Sequence, residues 1–336
     1  MKRLFFVAVS IGLILSGAAY GQEKKLEPLF IAETSAAAPR PQKWIAKELG
    51  LYEKYGLNVT IVTIGGSATA LQALLGGDIQ FFFGTGAAAV AAALRGAPVA
   101  IVATSGPTPF NIVSHPSITS IQELKGKTLG ISGFGGSDYF LVRRLLPRIG
   151  LTPGKDVTIL PIGLTHPLQK VPLIFQGKID ATVASPDSVR EFDLKGVKLN
   201  VLAEAIPNGV FATAGDLITT RNFVAKSRQR AKAFLMATIE AVAHAKKDRD
   251  LVLRTYQKFL RSVDLRVFDP WYKDTVLGII PQKPYPLEAS IHATLEDLSL
   301  ANPDILKGKS LKVADFVDTT ILDELEKEGF FTNLPR

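Results

Sequence analysis

The chain has 336 residues, 47% of them apolar, a formal net charge of +8 and no cysteine. That is enough apolar material for two α/β domains of ordinary size and argues against disorder. The absence of cysteine excludes disulfides, thiolate metal sites, thiol nucleophiles and lipid attachment through an N-terminal cysteine.

The first residues have the pattern of a secretory signal. Lys2 and Arg3 form a basic start, Leu4 to Leu15 an apolar run, and Ala19-Tyr20-Gly21 a small-x-small cleavage site. The apolar run is shorter than the ~20 residues that span a bilayer, so cleavage near Gly21 is expected rather than an anchor. Losing Lys2 and Arg3 brings the charge from +8 to +6, since no acid precedes Gln22. Much of the remaining excess lies between Arg221 and Arg261, with eleven Lys/Arg against three Asp/Glu. These cations are scattered among apolar residues at helical spacing with no aromatic stacking motif, which is the pattern of a solvated helix face; no nucleic-acid partner is expected.

Beyond the signal, short apolar runs alternate with helical patterns. Leu29 to Ala32 reads as a strand, Pro41 to Leu49 as a helix with proline at its start, and Asn58 to Ile64 as a β-branched strand. Ala68 to Leu75 reads as a helix stopped by Gly76-Gly77, Ile79 to Phe83 as a strand, Ala87 to Leu94 as a helix, and Val99 to Ala103 as a strand. Such alternation predicts a parallel sheet with helices on its faces. An internal repeat then appears. "NVTIVTIG" (Asn58 to Gly65) shares five of eight residues with "DVTILPIG" (Asp156 to Gly163), and "LLGGDIQFFFGTG" (Leu74 to Gly86) parallels "IFQGKIDATVASP" (Ile174 to Pro186). Two matches in the same order at nearly one offset predict two similar α/β lobes. The second would contain strands at Lys127 to Ser132, at Val157 and at Ile179 to Ala184, with a helix from Asp138 to Leu146. The chain returns through a strand at Leu217 to Thr220 into a helical C-terminal region broken by prolines. Crossings near Pro107 to Phe110 and Pro207 to Thr213 would divide the chain into a signal (1–21), lobe I (22–108 and 213–336) and lobe II (109–212), with a hinge between the lobes.

Ligands of open α/β sheets bind beyond the carboxyl ends of the strands. The candidate ligand-binding residues are therefore Ser35, Gly66, Ser67, Thr85, Gly86, Phe134, Gly135, Gly136, Ser137, Ser185, Pro186 and Asp187. Ser67, Thr85 and Ser137 stand where helix N-caps are expected, which would aim free backbone N–H groups and helix dipoles at an anion. Each small residue alone is explained equally well by capping and turns. Phe134, set among glycines, is the best single aromatic candidate, while Phe110 and Phe211 divide between hinge packing and ligand stacking. Trp44 reads as core, Asp187 as an N-cap before a partner for a ligand amine, and His166 as an exposed loop residue. The cleft loops carry no evident fixed arginine or acid. None of the four histidines, His115, His166, His244 and His292, pair at metal-ligand spacing, so no metal and no cofactor is expected. Gly84-Thr85-Gly86-Ala87-Ala88-Ala89 fits a dinucleotide motif, but the acid about 20 residues on is missing.

The ordered segments "AKELGLYEKYGLNVTIV", "ALLGGDIQFFFG", "LKGKTLGIS", "GLTPGKDVTIL" and "GKIDATVAS" resemble those of the alkanesulfonate/taurine/nitrate-type substrate-binding proteins of ABC importers, a family that also includes thiamine-pyrimidine precursor proteins. The resemblance runs from about Leu29 to the last helices. It implies a type II periplasmic binding fold, two α/β lobes closing by a hinge on a small organic anion, with an inner-membrane ABC permease as partner. It also implies a monomer, a periplasmic location and no enzymatic activity. By the same resemblance, the loops at Ser35, Gly66-Ser67, Thr85-Gly86, Phe134 to Ser137 and Ser185-Pro186 would line the site. One branch makes the thiamine pyrimidine and carries a cysteine-rich motif; the lack of cysteine and the export signal count against that branch. An enzyme of thiamine-pyrimidine or quinone precursor metabolism and a ligand-presenting sensor are the alternatives.

Overall fold

Short β-branched runs and alanine- and leucine-rich helical stretches build two five-stranded sheets. They are seen in a computed structural model that describes residues 25–34, 40–134, 136–211, 213, 215–260, 264–301 and 303–335. The expected signal, Ser35 and Gly135 lie outside the described residues. In chain order the first unit contains β1 (Glu27–Glu33), α1 (Gln42–Glu48), α2 (Leu51–Lys54), β2 (Leu57–Thr63), α3 (Ser67–Gly76), β3 (Phe81–Gly84), α4 (Gly86–Leu94) and β4 (Val99–Thr104). The second contains β5 (Asn111–Ser114), β6 (Thr128–Ile131), α5 (Ser137–Arg148), β7 (Thr158–Pro161), α6 (Pro167–Phe175), β8 (Ala181–Ala184), α7 (Pro186–Leu194) and β9 (Asn200–Glu204). The chain then returns through β10 (Asp216–Thr220) to α8 (Arg221–Lys226), α9 (Arg228–Lys247), α10 (Arg249–Leu260), α11 (Leu265–Trp271), α12 (Glu288–Ala301) and α13 (Thr320–Lys327).

The strand orders are β2-β1-β3-β10-β4 and β7-β6-β8-β5-β9. The sequence repeat is thus a repeat of topology: β2 and β7 are both edge strands, and β3 and β8 occupy the same third position. The sheets are mixed rather than parallel throughout, a correction to the sequence reading. β10 runs antiparallel to β3 and β4, and β5 antiparallel to β8 and β9. The reason is geometric. The chain leaves each sheet at the carboxyl end of a strand, β4 or β9, and enters the other sheet at that same end. The entering strand must therefore run backwards. The sequence pattern does not reveal β5 and β9. These strands are four and five residues long, too short for a period to show, and α7 starts ahead of the N-cap expected at Asp187, with Pro186 in its first turn. In the C-terminal region the stretch from Val313 to Glu328 is not one helix but a short 3-10 turn followed by α13.

Packing follows the apolar pattern. Phe81 and Tyr52 stack on Phe234 of α9, with ring centroids 4.6 and 5.7 Å apart, and Trp44 is buried against Tyr256 and Phe259, a core position as expected. A separate core in the second unit gathers Leu129, Ile131, Leu141, Leu145 and Val183. The basic segment is engaged on the protein's own surface. Arg228 and Lys232 meet Glu324, Arg230 meets Glu27, Arg249 meets Asp269, and Arg221 donates to the carbonyls of Ala314, Asp315 and Val317. Among the described residues no helix is long and apolar enough to cross a membrane.

Candidate functional site

Between the two sheets lies a cavity of about 510 Å³ with walls from both units. Five helices begin at it. Gly66 and Ser67 of α3, Thr85 of α4, Gly136 and Ser137 of α5, Pro167 of α6 and Ser185 of α7 all line it. The first turn of each helix leaves backbone N–H groups without intrahelical acceptors, and the aligned peptide dipoles place partial positive charge there. Five such ends around one cavity make a positive environment from backbone alone.

The local chemistry explains how the loops reach this arrangement, and it revises the caps. Thr85 is an N-cap, but Ser67 and Ser137 are the first helical residues, one position later than expected. Glycines take the cap positions instead. Gly66 sits at φ 84°, a conformation that disfavours any side chain. A Cβ on Gly136 would lie 2.6 Å from Ser132 Oγ and 3.0 Å from Asp138 Oδ1. Ser67 Oγ is freed to accept from the Thr85 N–H at 3.0 Å, tying the start of α3 to the start of α4.

Of the twelve sequence candidates, Gly66, Ser67, Thr85, Phe134, Gly136, Ser137 and Ser185 line the cavity. Ser35 and Gly135 are not among the described residues. Gly86 turns away: its Cα faces the Asp216 carboxylate so closely that a Cβ would collide with Oδ2. Its role is the approach of α4 to β10. Pro186 and Asp187 are also off the cavity wall. Asp187 is not the N-cap of α7, which is Ser185, but a first-turn residue, and burial pushes its carboxyl above the usual range. Phe134 is 70% exposed and meets Tyr139 edge-on at 5.3 Å, and Phe110 also lines the cavity. Phe211 is not on the wall; its carbonyl accepts from Arg144. His166 is no free loop residue: it caps α6, Nδ1 accepting from the Leu168 N–H at 3.1 Å, and burial lowers its pKa.

The fixed charge of the cleft comes from helices rather than from the loops, where no arginine or acid was expected. Lys170 and Asp138 both line the cavity, are 3% and 7% exposed by side chain, and pair at 3.0 Å. The Asp138 carboxylate also accepts from the Ser132 N–H (2.7 Å), the Ser132 hydroxyl (2.6 Å) and the Tyr139 N–H (3.0 Å). Sequence reasoning looked only at loops, whereas Lys170 lies inside α6. A signal was present: Pro167, Val171 and Ile174 form the buried stripe of α6, and Lys170 is a charge standing in that stripe. Arg95, at the end of α4, adds a second cation to the wall.

Behind the cavity, at the strand ends of the first sheet, lies a buried polar cluster. Arg40 Nη2 donates to the Pro107 carbonyl and Thr108 Oγ1, each at 3.3 Å, while its Nε and Nη1 find no hydrogen-bond partner among the described residues. Burial lowers its pKa to about 10, partly offset by Tyr256, by Asp187 of the other unit and by Asp216. Asp216 accepts from Thr104 Oγ1 at 2.6 Å and from the Thr213 hydroxyl, yet burial raises its carboxyl to about 6. Lys43 meets Glu33 at 2.9 Å, and burial lowers the Lys43 pKa.

A family model described as NMT1/THI5 like matches residues 43–250, more than half of the chain and both halves of the cavity wall. The chain belongs to this family. Among its relatives is a Brucella abortus protein described only as a binding protein, 27% identical over 249 residues, covering 72% of this chain and 73% of that one. Solved structures share the fold at lower identity. The alkanesulfonate-binding protein SsuA from Xanthomonas axonopodis, bound to MOPS, is 21% identical with a TM-score of 0.68, covering 88% of this chain and 99% of its own. The periplasmic nitrate-binding protein NrtA from Synechocystis is 16% identical with a TM-score of 0.72, covering 93% and 91%. The fold of this NMT1/THI5-like protein is therefore that of the substrate-binding proteins of ABC import systems, two α/β units facing each other across a cleft.

Proposed function

We propose that the protein is the exported, periplasmic solute-binding component of an ABC importer, which captures a small organic anion between two lobes and presents it to an inner-membrane permease. The observation that carries this reading is the cavity itself: five helix N-termini, two from the first sheet's unit and three from the second's, converge on a space that both units wall. In this reading residues 22–108 and 213–336 move as one body and 109–212 as the other, about the two crossings. Ligand contacts made by both lobes favour the closed arrangement over the open one, and that differential affinity drives closure. Ser67, Ser137 and Ser185 would hold the anion through backbone N–H groups and hydroxyls and Thr85 through its hydroxyl, while Gly66 and Gly136, whose own N–H groups donate to the Thr34 and Gly133 carbonyls, would let it approach the backbone and Phe134 would close over it. Binding is the whole task, and no bond is broken. Small-angle scattering on the mature protein, alongside titration calorimetry with benzenesulfonate, tests this. Saturation should reduce the radius of gyration, and binding that leaves it unchanged would overturn the clamp.

A further inference from the structure

The charged wall of the second unit tells more about the ligand than the helix ends do. An ammonium group has three N–H donors and a carboxylate about four acceptor sites. In the Lys170–Asp138 pair the carboxylate is saturated: Ser132 supplies two donors, Tyr139 a third and Lys170 the fourth. The ammonium is not. Asp138 is its one acceptor among the described residues, although its side chain is only 3% exposed and lines the cavity. Leaving donors of a buried cation unmatched costs free energy that a ligand acceptor would recover. Asp138 thus fixes the lysine in place and leaves its free valences to the cavity.

The opposite wall has a different character. Beyond the hydroxyls of Ser67 and Thr85 at the helix starts and Arg95 at the far end of α4, the first unit contributes an apolar stretch, Leu71 of α3 and Ala87, Ala88 and Ala91 of α4, with Leu298 of α12 beside them. These side chains have no hydrogen-bonding group to offer. A cavity of about 510 Å³ also falls within the roughly 300–1,000 Å³ range of sites for drug-sized ligands. A nitrate-sized ion, only somewhat larger than the ~30 Å³ share of one water molecule, would leave most of that apolar wall uncovered.

We infer that Lys170 is the ligand-facing cation of the site and that the ligand is an amphipathic organic anion, its carboxylate or sulfonate on Lys170 and its apolar body against α3 and α4. This deepens the proposed function and rests on the cavity being its binding site. Lys170 acts as a specificity determinant, selecting charge at one end, while the alanine face of α4 selects against small hydrated ions.

The test is calorimetric titration of the mature protein with benzoate, benzenesulfonate and hexanesulfonate against neutral benzamide and against nitrate and taurine, with scattering recorded at saturation. At least one of the three amphipathic anions should bind roughly tenfold or more tightly than benzamide, nitrate and taurine. Lys170→Met should weaken that anion by about 10- to 100-fold, the range for a hydrogen bond to a charged group, and should weaken benzamide, a neutral acceptor, by clearly less. Lys170→Arg should keep most of the preference. Because Lys170→Met strands the Asp138 charge, Lys170→Met/Asp138→Asn serves as the second variant and should show the same selective loss. Affinity for benzamide, nitrate or taurine equal to that for the tightest of the three anions, undiminished anion binding in both variants, or no binding by any of the three anions would overturn the inference. Compaction with benzamide but not with the anions would sink this assignment and leave the clamp standing, whereas anion binding without compaction would sink the clamp alone.

Discussion

Asp216 shows how a single residue at the end of a central strand ties the first sheet to the hinge. Its carboxylate takes hydroxyls from Thr104 on the neighbouring strand and from Thr213 in the return crossing, and it faces Gly86 at the start of α4. Burial outweighs these bonds and raises its pKa from 3.8 to about 6. An acid whose pKa is raised on folding stabilises the folded state most when both states are protonated, and that contribution falls as pH rises from the unfolded to the folded value. The stability difference between wild type and Asp216→Ala should therefore be largest near pH 4 and shrink towards pH 7, by on the order of 2–3 kcal/mol. Urea unfolding at a series of pH values checks this, and a difference that grows with pH would contradict it. The same neighbourhood shows what residue-level reading misses. Gly86 looks like a site glycine because it follows a strand and opens a helix. Only the packing reveals that its missing Cβ makes room for a carboxylate on the far side from the cavity.

At the scale of elements, the helix starts carry the architecture of the site. α3 and α4 are fastened by the bond from the Thr85 N–H to Ser67 Oγ, and α5 begins on the turn in which Ser132, Gly136 and Asp138 close on one another. Two tight glycines fix where these helices sit. Gly86→Ala would press a methyl group into Asp216 and within 3.0 Å of Ile101 Cδ1, moving α4 off β10, at the 1–3 kcal/mol typical of overpacking or somewhat more. Gly65→Ala, with nothing within 4 Å and no positive φ, should change stability by less than about 0.5 kcal/mol. Chemical denaturation of the two variants separates a packing role from the general effect of replacing glycine. The repeat in the sequence foretold the pairing of like elements, because the apolar runs that form β2 and β7, and β3 and β8, meet equivalent surroundings. It could not foretell that β5 and β10 run antiparallel to their neighbours, since their direction is set by the crossings rather than by composition.

For the whole molecule, the C-terminal region does more than cover the first sheet. α12 packs on α4 of the first unit and on α5 of the second. There Arg144 Nε meets Asp297 at 2.6 Å, both side chains under 10% exposed, with Thr294 Oγ1 and the Phe211 carbonyl accepting from the same guanidinium. This pair joins the two units beside the cavity. Breaking a buried pair from one side leaves an uncompensated charge, so Arg144→Met or Asp297→Leu should each cost about 3–5 kcal/mol, while the double variant should recover most of that loss. Thermal and urea unfolding of the three variants tests the coupling; additive losses in the double variant would show that the two residues act independently.

The sequence by itself determined the alternation of strands and helices, the two related units and the glycine-rich strand ends. Each of these is written in local pattern: period, stop signals and turn residues act over a few positions. Family membership was legible for the same reason, as a series of such segments in order. Tertiary structure alone decided which of those loops share a cavity, that Gly86 and Asp187 stand outside it, and that a lysine from the middle of α6 stands inside it. Burial and pairing depend on residues brought together across 32 positions, as Lys170 and Asp138 are, or across 153, as Arg144 and Asp297 are. No local pattern encodes separations of that kind, because the free energy of a buried charge is fixed by its neighbours in space and not by its neighbours in the chain.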